Sequence, residues 1–137
     1  MSHSNVLIVG GGCAGIAVAS RIHKLKSDLS ISIIEPSEKS LYQAAWTLVG
    51  AGAYDVGNTI KPMSEVMPNY VKWIKEYAEE FMPEKNSVKT DKGSHTYDYL
   101  VVCPGLKLNF DGVDGLKEHL GKNNVCTNYS AEMATYT

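Results

Sequence analysis

Arginine is almost missing from this chain. Of its thirteen lysine and arginine residues only Arg21 is arginine, and the formal net charge is −2. A nucleic-acid partner wants a basic surface rich in forked guanidinium donors, so that class is set aside. Cysteine is scarce and odd in number: Cys13, Cys103 and Cys126. No pair has the C-x-x-C spacing of a zinc or redox site, so a disulfide framework is not expected and a reducing compartment fits better. The four histidines (His3, His23, His95 and His119) are scattered without ligand-like spacing, and no metal is expected. No apolar run approaches the roughly 18 residues of a spanning helix. The start, Met1-Ser2-His3-Ser4-Asn5, lacks a basic and apolar signal region, so neither secretion nor mitochondrial import is expected from it and the chain reads as soluble.

What remains is an ordinary globular composition. The 137 residues are 44% hydrophobic and 20% charged. That excludes disordered and fibrous classes and leaves room for one compact domain that buries roughly two thirds of its unfolded surface.

The first thirty-odd residues are organised as a unit. Asn5 to Val9 is a short run rich in β-branched residues, expected as a strand buried on both faces of a parallel sheet. Three glycines break it. Ala14 to Lys26 is helical in composition, with Arg21, Lys24 and Lys26 toward the negative helix end. Ser30 to Ile34 reads as a second buried strand, parallel and adjacent to the first. Further on, a short helix around Ala44 to Val49, a mobile glycine loop and a helix over Thr59 to Val66 are expected. From Tyr70 the pattern alternates with turn signals at Pro83-Glu84-Lys85-Asn86 and Asp91-Lys92-Gly93, which predicts a small antiparallel meander. Lys75 to Phe81 is read as strand within it, although its glutamates and lysine also suit a helix. Tyr99 to Cys103 is expected as a third fully buried strand, stopped by Pro104-Gly105. Asp111 to Gly121 reads as loop, Val125 to Thr127 as a fourth strand, and Ser130 to Thr137 as the first turns of a helix capped by Ser130.

Gly10-Gly11-Gly12-Cys13-Ala14-Gly15 fits G-x-G-x-x-G. The motif alone is weak, but here it follows a strand, opens a helix, and has Glu35 twenty residues beyond Gly15 at the end of the next strand. Gly10 permits the tight turn, Gly12 lets a pyrophosphate approach the backbone, and Gly15 lets helix and strand pack closely. The N–H groups at the helix start, around Cys13 and Ala14, with the positive dipole end, then hold the phosphates. Glu35, followed by Pro36, can accept hydrogen bonds from both ribose hydroxyls of an adenosine and would repel a 2′-phosphate, which argues against NADP. The competing explanation is a glycine turn packed for its own sake.

The fingerprint does not separate FAD from NAD. Its place near the chain start favours FAD, as does Tyr97-Asp98-Tyr99-Leu100-Val101-Val102-Cys103-Pro104-Gly105, which matches the second signature of two-dinucleotide flavoproteins. The usual final triplet there is Ala-Thr-Gly. Pro104 has no N–H to offer, so a contact at this point falls to Gly105 or to carbonyls.

Between the two signatures, Tyr42-Gln43-Ala44-Ala45-Trp46-Thr47-Leu48-Val49-Gly50-Ala51-Gly52 strongly resembles a stretch of the sulfide:quinone oxidoreductases, most of all the branch with the mitochondrial enzymes. Pro62, Val71-Lys72-Trp73-Ile74, Pro83-Glu84-Lys85-Asn86 and Asn128-Tyr129-Ser130 run in the same order as in that branch. The resemblance covers nearly the whole chain. It implies an α/β, Rossmann-like FAD-binding three-layer fold with a parallel sheet and a small antiparallel meander, incomplete in this chain. Residues 1–137 would be the N-terminal segment of an FAD/NAD(P)-binding domain, with the rest of that domain and a second dinucleotide domain further along.

The resemblance further implies an FAD-dependent enzyme that oxidises sulfide and passes electrons through the flavin to a quinone. Two redox cysteines of the family lie beyond residue 137, so this segment alone is expected to be inactive. The parent enzyme would be peripheral to a bacterial plasma membrane or the mitochondrial inner membrane, through elements outside this chain. Gln43 and Trp46 join the expected cofactor-binding set. Trp46, like Tyr42, has two readings, lining a flavin or quinone cavity or anchoring a loop. Cys126 lies near the position of an auxiliary cysteine in some members; as residues go, a small buried side chain serves equally. For Cys13 and Cys103, packing is the expected role. Two other readings stay open: a sibling flavoenzyme, such as a single-subunit NADH:quinone reductase or a flavocytochrome sulfide dehydrogenase, and a nucleotide-binding module without redox chemistry.

Overall fold

The computed structural model describes residues 2–137. The chain divides into two compact units, one of residues up to Ser40 with Pro62–Gly105, the other of Leu41–Lys61 with Leu106–Thr137.

The first unit is built on a six-stranded sheet. Its strands are β1 (Ser2–Val9), β2 (Ile31–Ile34), β5 (Val71–Ile74), β6 (Ala78–Met82), β7 (Ser87–Thr90) and β8 (Gly93–Val102). The order across the sheet is β5-β2-β1-β8-β7-β6. The first four are parallel, with Val6 opposite Ile31 and Tyr99, and Ile31 opposite Val71. β6, β7 and β8 are antiparallel. The sheet is buried on both faces because its strands are apolar at consecutive positions. On one face Val6, Ile8, Ile31, Ile33 and Val71 pack against Ala19 of helix α1 (Cys13–Leu25). On the other, Leu7, Val9, Ile34 and Ile74 pack with Val88 of β7 and Tyr97 of β8. Helix, parallel sheet and meander are thus three layers, and each fully buried aliphatic side chain contributes about 1.5–3 kcal/mol.

This bears out the α/β class, the strand–helix–strand opening and the meander, and corrects several details. β5 belongs to the parallel sheet rather than the meander, so there are four parallel strands, not three. Its alternating look comes from its edge position: Val71 and Ile74 are buried while Lys72 stays exposed. The long connection from β2 is what lets β5 run parallel. The expected strand Tyr99 to Cys103 is the second half of one longer strand, β8, which runs from Gly93 and ends at Val102. Asp98 does not break it, because its carboxylate points out and accepts from the Asn5 side chain at 2.8 Å. Nor is the second half of β8 fully buried: Tyr99 is 68% and Val102 49% exposed. β7 pairs with β8 only from Gly93 to Thr96, so the rest of β8 has no β7 residue beside it. Lys75 to Phe81 contains no helix, and β6 begins at Ala78.

The second unit has little regular structure. A 3-10 turn (Gln43–Ala45) runs into helix α2 (Trp46–Gly50), and α4 (Leu116–His119) follows a 3-10 turn at Phe110–Gly112. Its core is Trp46, Val49 and Ala134, with Val56 and Ala131 against them. The expected helix over Thr59 to Val66 is a 3-10 turn (Val56–Thr59), a short strand β4 (Ile60–Pro62) and, already in the first unit, a single helical turn α3 (Met63–Val66). β4 pairs with β3 (Lys39–Leu41) in a separate two-stranded sheet. Val125 to Thr127 is not a strand; Val125 makes one isolated bridge to Lys122. Residues 130–137 form turns rather than an extended helix. Ser130 caps through its carbonyl, which accepts from Met133 and Ala134, and the segment closes as Ala134 enters the Trp46 core.

Candidate dinucleotide-binding site

The phosphate-loop residues come together at the end of β1. Gly10 leaves the strand with φ +104°, a backbone state that L side chains avoid. A Cβ there would lie 1.9 Å from the Cys103 carbonyl oxygen at the end of β8. The Cys103 N–H in turn donates to the Val9 carbonyl at 2.7 Å. Gly10 is therefore required by the approach of β8. Gly15 is required by the loop itself, since a Cβ on it would fall 1.9 Å from the Gly10 carbonyl oxygen.

Gly12 is different. Its φ is −75°, which any residue adopts, and a Cβ built on it meets no atom within 4 Å. Packing gives no reason for glycine there, although Gly12 is also the N-cap of α1, with its carbonyl accepting from the Ile16 N–H at 3.1 Å. The space its missing side chain leaves lies at the start of α1, where no side chain caps the helix and no acidic residue sits in the first turn. The first N–H groups of a helix lack intrahelical partners and carry the positive end of its dipole. Cys13 and Ala14 open this turn and are both exposed, so the packing expected for Cys13 is corrected. Cys103 is half-buried.

Glu35 is fixed beside the loop. One carboxylate oxygen accepts from the Gly11 N–H at 2.8 Å, the other from the Ser37 N–H at 2.7 Å. The half-buried Pro36 stands between these anchors. A charge-assisted bond of this kind holds the carboxylate in one orientation while leaving lone pairs for further donors. Two partners were not anticipated. A Cβ on Gly11 would collide with Glu35 Cβ and Cγ at 2.7 Å, so the unassigned position of the motif also needs glycine. The Trp73 indole N–H donates to the Glu35 carbonyl at 2.8 Å, tying the acidic residue to β5. Neither could be found from spacing, because both depend on which strands are neighbours. Gly105, with φ +75°, is exposed after Pro104.

Gln43, Trp46 and Cys126 belong to the second unit. Gln43 is exposed and donates weakly to the Asn128 carbonyl at 3.3 Å. Trp46 is 4% exposed, and its N–H donates to Thr59 Oγ1 at 3.0 Å; the Thr59 hydroxyl in turn donates to the Val56 carbonyl at 2.6 Å. Within this chain the indole anchors a core. Cys126 is an exposed free thiol, so the buried alternative is corrected.

The family model described as pyridine nucleotide-disulphide oxidoreductase matches residues 4–132. The chain belongs to that family. The mitochondrial sulfide:quinone oxidoreductase of Dictyostelium discoideum is 46% identical over 136 residues, which cover 98% of this chain and 30% of the relative. The mouse mitochondrial enzyme of the same name is 35% identical over 137 residues, with the same 30% of its length covered. The crystal structure of sulfide:quinone oxidoreductase from Aquifex aeolicus superposes with a TM-score of 0.78 at 31% identity, over 98% of this chain and 30% of that one. The chain thus spans about 30% of the length of these family members. The Rossmann-like architecture of the first unit is the fold it shares with the Aquifex structure.

Proposed function

We propose that this chain is the N-terminal FAD-binding part of a flavoprotein that oxidises sulfide and delivers electrons through FAD to a quinone. The observation that carries the nucleotide reading is Gly12: a glycine with no packing reason, at a helix start without a side-chain cap, beside a carboxylate held in place by backbone donors. In this reading Gly10, Gly12, Cys13, Ala14 and Gly15 surround the pyrophosphate, with its charge met by the N–H groups and dipole of α1. Glu35 accepts from the adenosine ribose hydroxyls, with Pro36 shaping the turn beside it, and Gly105 approaches from the end of β8. When bound, FAD supplies the two-electron acceptor and donor that sulfide and quinone chemistry needs.

The substrate reading rests on the relatives, whose names carry sulfide and quinone. In the second unit Gln43 and Trp46 are assigned to the flavin side, Gln43 by its exposed amide and Trp46 by fixing the helix that follows it. Cys126, an exposed thiol without a protein partner, is assigned as the auxiliary sulfur-handling cysteine. Among the described residues no helix is long and apolar enough to cross a membrane, and peripheral attachment of the parent enzyme is assigned to segments outside this chain.

The test is a sulfide-dependent quinone reduction assay on the full-length parent protein. Reduction of quinone by sulfide, with one FAD per chain, is expected. A parent that ignores sulfide and reduces quinone only with NADH would overturn the substrate reading and leave the nucleotide reading intact.

A further inference from the structure

Outside the phosphate loop, the first unit holds a second set of reactive groups along a cleft of about 490 Å³. Ser2 at the start of β1, His95 in β8 and Glu76 just after β5 all line it. They are joined end to end. Ser2 Oγ lies 2.8 Å from His95 Nδ1, and His95 Nε2 lies 2.7 Å from Glu76 Oε2. The sheet makes the first contact, because Ser2 stands opposite His95 where β1 pairs with β8.

These bonds fix which atom holds which proton. The Glu76 carboxylate also accepts from Thr90 Oγ1, and the His95 bond, then the Thr90 bond, hold its pKa below the ordinary 4.5. It is ionised at neutral pH and can only accept, so His95 Nε2 carries the ring proton. In the neutral ring Nδ1 is then the acceptor, and the Ser2 hydroxyl donates to it. The His95 side chain is 10% exposed and the Glu76 side chain 19%, so both are packed in place. The nearby lysines leave the relay intact. Lys75 pairs with Glu38 at 3.1 Å, and Lys92 donates to the Lys75 carbonyl at 2.8 Å while its charge acts on Glu76. A hydroxyl bonded to an imidazole that a carboxylate orients is the arrangement of an activated nucleophile.

We infer that Ser2 is an acylation site: its hydroxyl, with His95 as general base, takes the acyl group of an activated ester or thioester. Ser2 Oγ bonds to the carbonyl carbon as the bond from that carbon to the leaving oxygen or sulfur breaks. The hydroxyl proton passes to His95 Nδ1 and from there to the leaving group. The products are acyl-Ser2 and a free alcohol or thiol, and nothing is oxidised or reduced. Glu76 is a positioning residue that holds the Nε2 proton and steadies the imidazolium as it forms. General-base assistance of this kind is worth about 10²–10⁴-fold. Neither Ser2, His95 nor Glu76 belongs to the phosphate loop, so the inference stands apart from the nucleotide reading.

The test is incubation of the chain with p-nitrophenyl acetate at neutral pH, with acetylated sites mapped by peptide mass spectrometry before and after treatment with hydroxylamine. A hydroxylamine-labile acetyl ester is expected on Ser2, formed at least tenfold faster than any on the exposed Ser27 and Ser64. That comparison needs no variant. Ser2→Ala removes only a hydroxyl, so its amide spectrum away from residue 2 should stay unchanged while the labile adduct disappears. His95→Gln should slow ester formation on Ser2 at least tenfold. Acetylation confined to lysine amines, a Ser2 ester formed no faster than those on Ser27 and Ser64, a labile adduct that persists in Ser2→Ala, or an unchanged rate in His95→Gln would each overturn the inference.

Discussion

The two units hold themselves together by different means. In the first, four parallel strands share continuous ladders, and both sheet faces are covered by apolar side chains that are interchangeable in kind. In the second, single turns converge on one indole, Trp46, whose ring fills the core and whose N–H starts a relay through Thr59 to the Val56 carbonyl. A sheet spreads its stability over many residues. A unit assembled from turns concentrates it in a few. The same contrast separates the glycines of the phosphate loop: Gly10, Gly11 and Gly15 serve packing, and at Gly12 a side chain would meet no atom of the protein within 4 Å.

The largest expected effect breaks the second unit. Trp46→Ala should cost about 3–5 kcal/mol in that core. Amide exchange should then show lost protection over residues 41–61 and 106–137, with β1, β2 and β8 still protected. Equal loss in both units would mean that they unfold as one, and the contrast would fail.

Next is Gly15→Ala. Its Cβ would meet a backbone carbonyl that cannot rotate away, so α1 must move from β1. Overpacking of this kind costs about 1–3 kcal/mol, measured as a lower denaturation midpoint. No change would show that the close approach of loop and helix is not needed.

A smaller effect concerns pH. The Glu76 pKa is lowered from its ordinary 4.5, chiefly by the His95 bond. A group of this sign stabilises the fold above its unfolded pKa, and the contribution is lost as pH falls through the folded value. Stability should therefore decline in acid below about pH 4.5, and Glu76→Gln should flatten that part of the profile while lowering stability at neutral pH by about 1 kcal/mol. An unchanged acid slope in the variant would show that Glu76 is not the group responsible.

How much of this was readable beforehand follows from the same contrast. β1, α1 and β2 could be read because strands buried on both faces leave an unbroken apolar run, and because glycine and a carboxylate at set spacing have few other uses together. β5 is not legible as a parallel strand, because an edge strand with exposed Lys72 looks like a meander strand until its neighbour β2 is known. The first half of β8 is not legible locally, because the partner of Asp98 is Asn5 across the ladder. The bonds from Gly11 to Glu35 and from Trp73 to the Glu35 carbonyl join residues 24 and 38 apart, and only the strand order puts them together. In the second unit, short helices without long periodicity gave no pattern to read beyond the Tyr42 to Gly52 stretch itself.

In the proposed site Gly12 is kept open for a dinucleotide phosphate. The direct measurement compares ADP binding to the chain and to its Gly12→Ala variant by amide shifts at residues 10–15 and at Glu35. ADP carries the diphosphate and ribose that the first unit is assigned to hold. Gly12 is the N-cap of α1, where alanine in place of glycine costs about 1 kcal/mol, so the variant should still fold. That folded variant should show at least a tenfold loss of ADP affinity. Equal affinity in the two chains, or ADP shifts that bypass residues 10–15, would contradict it.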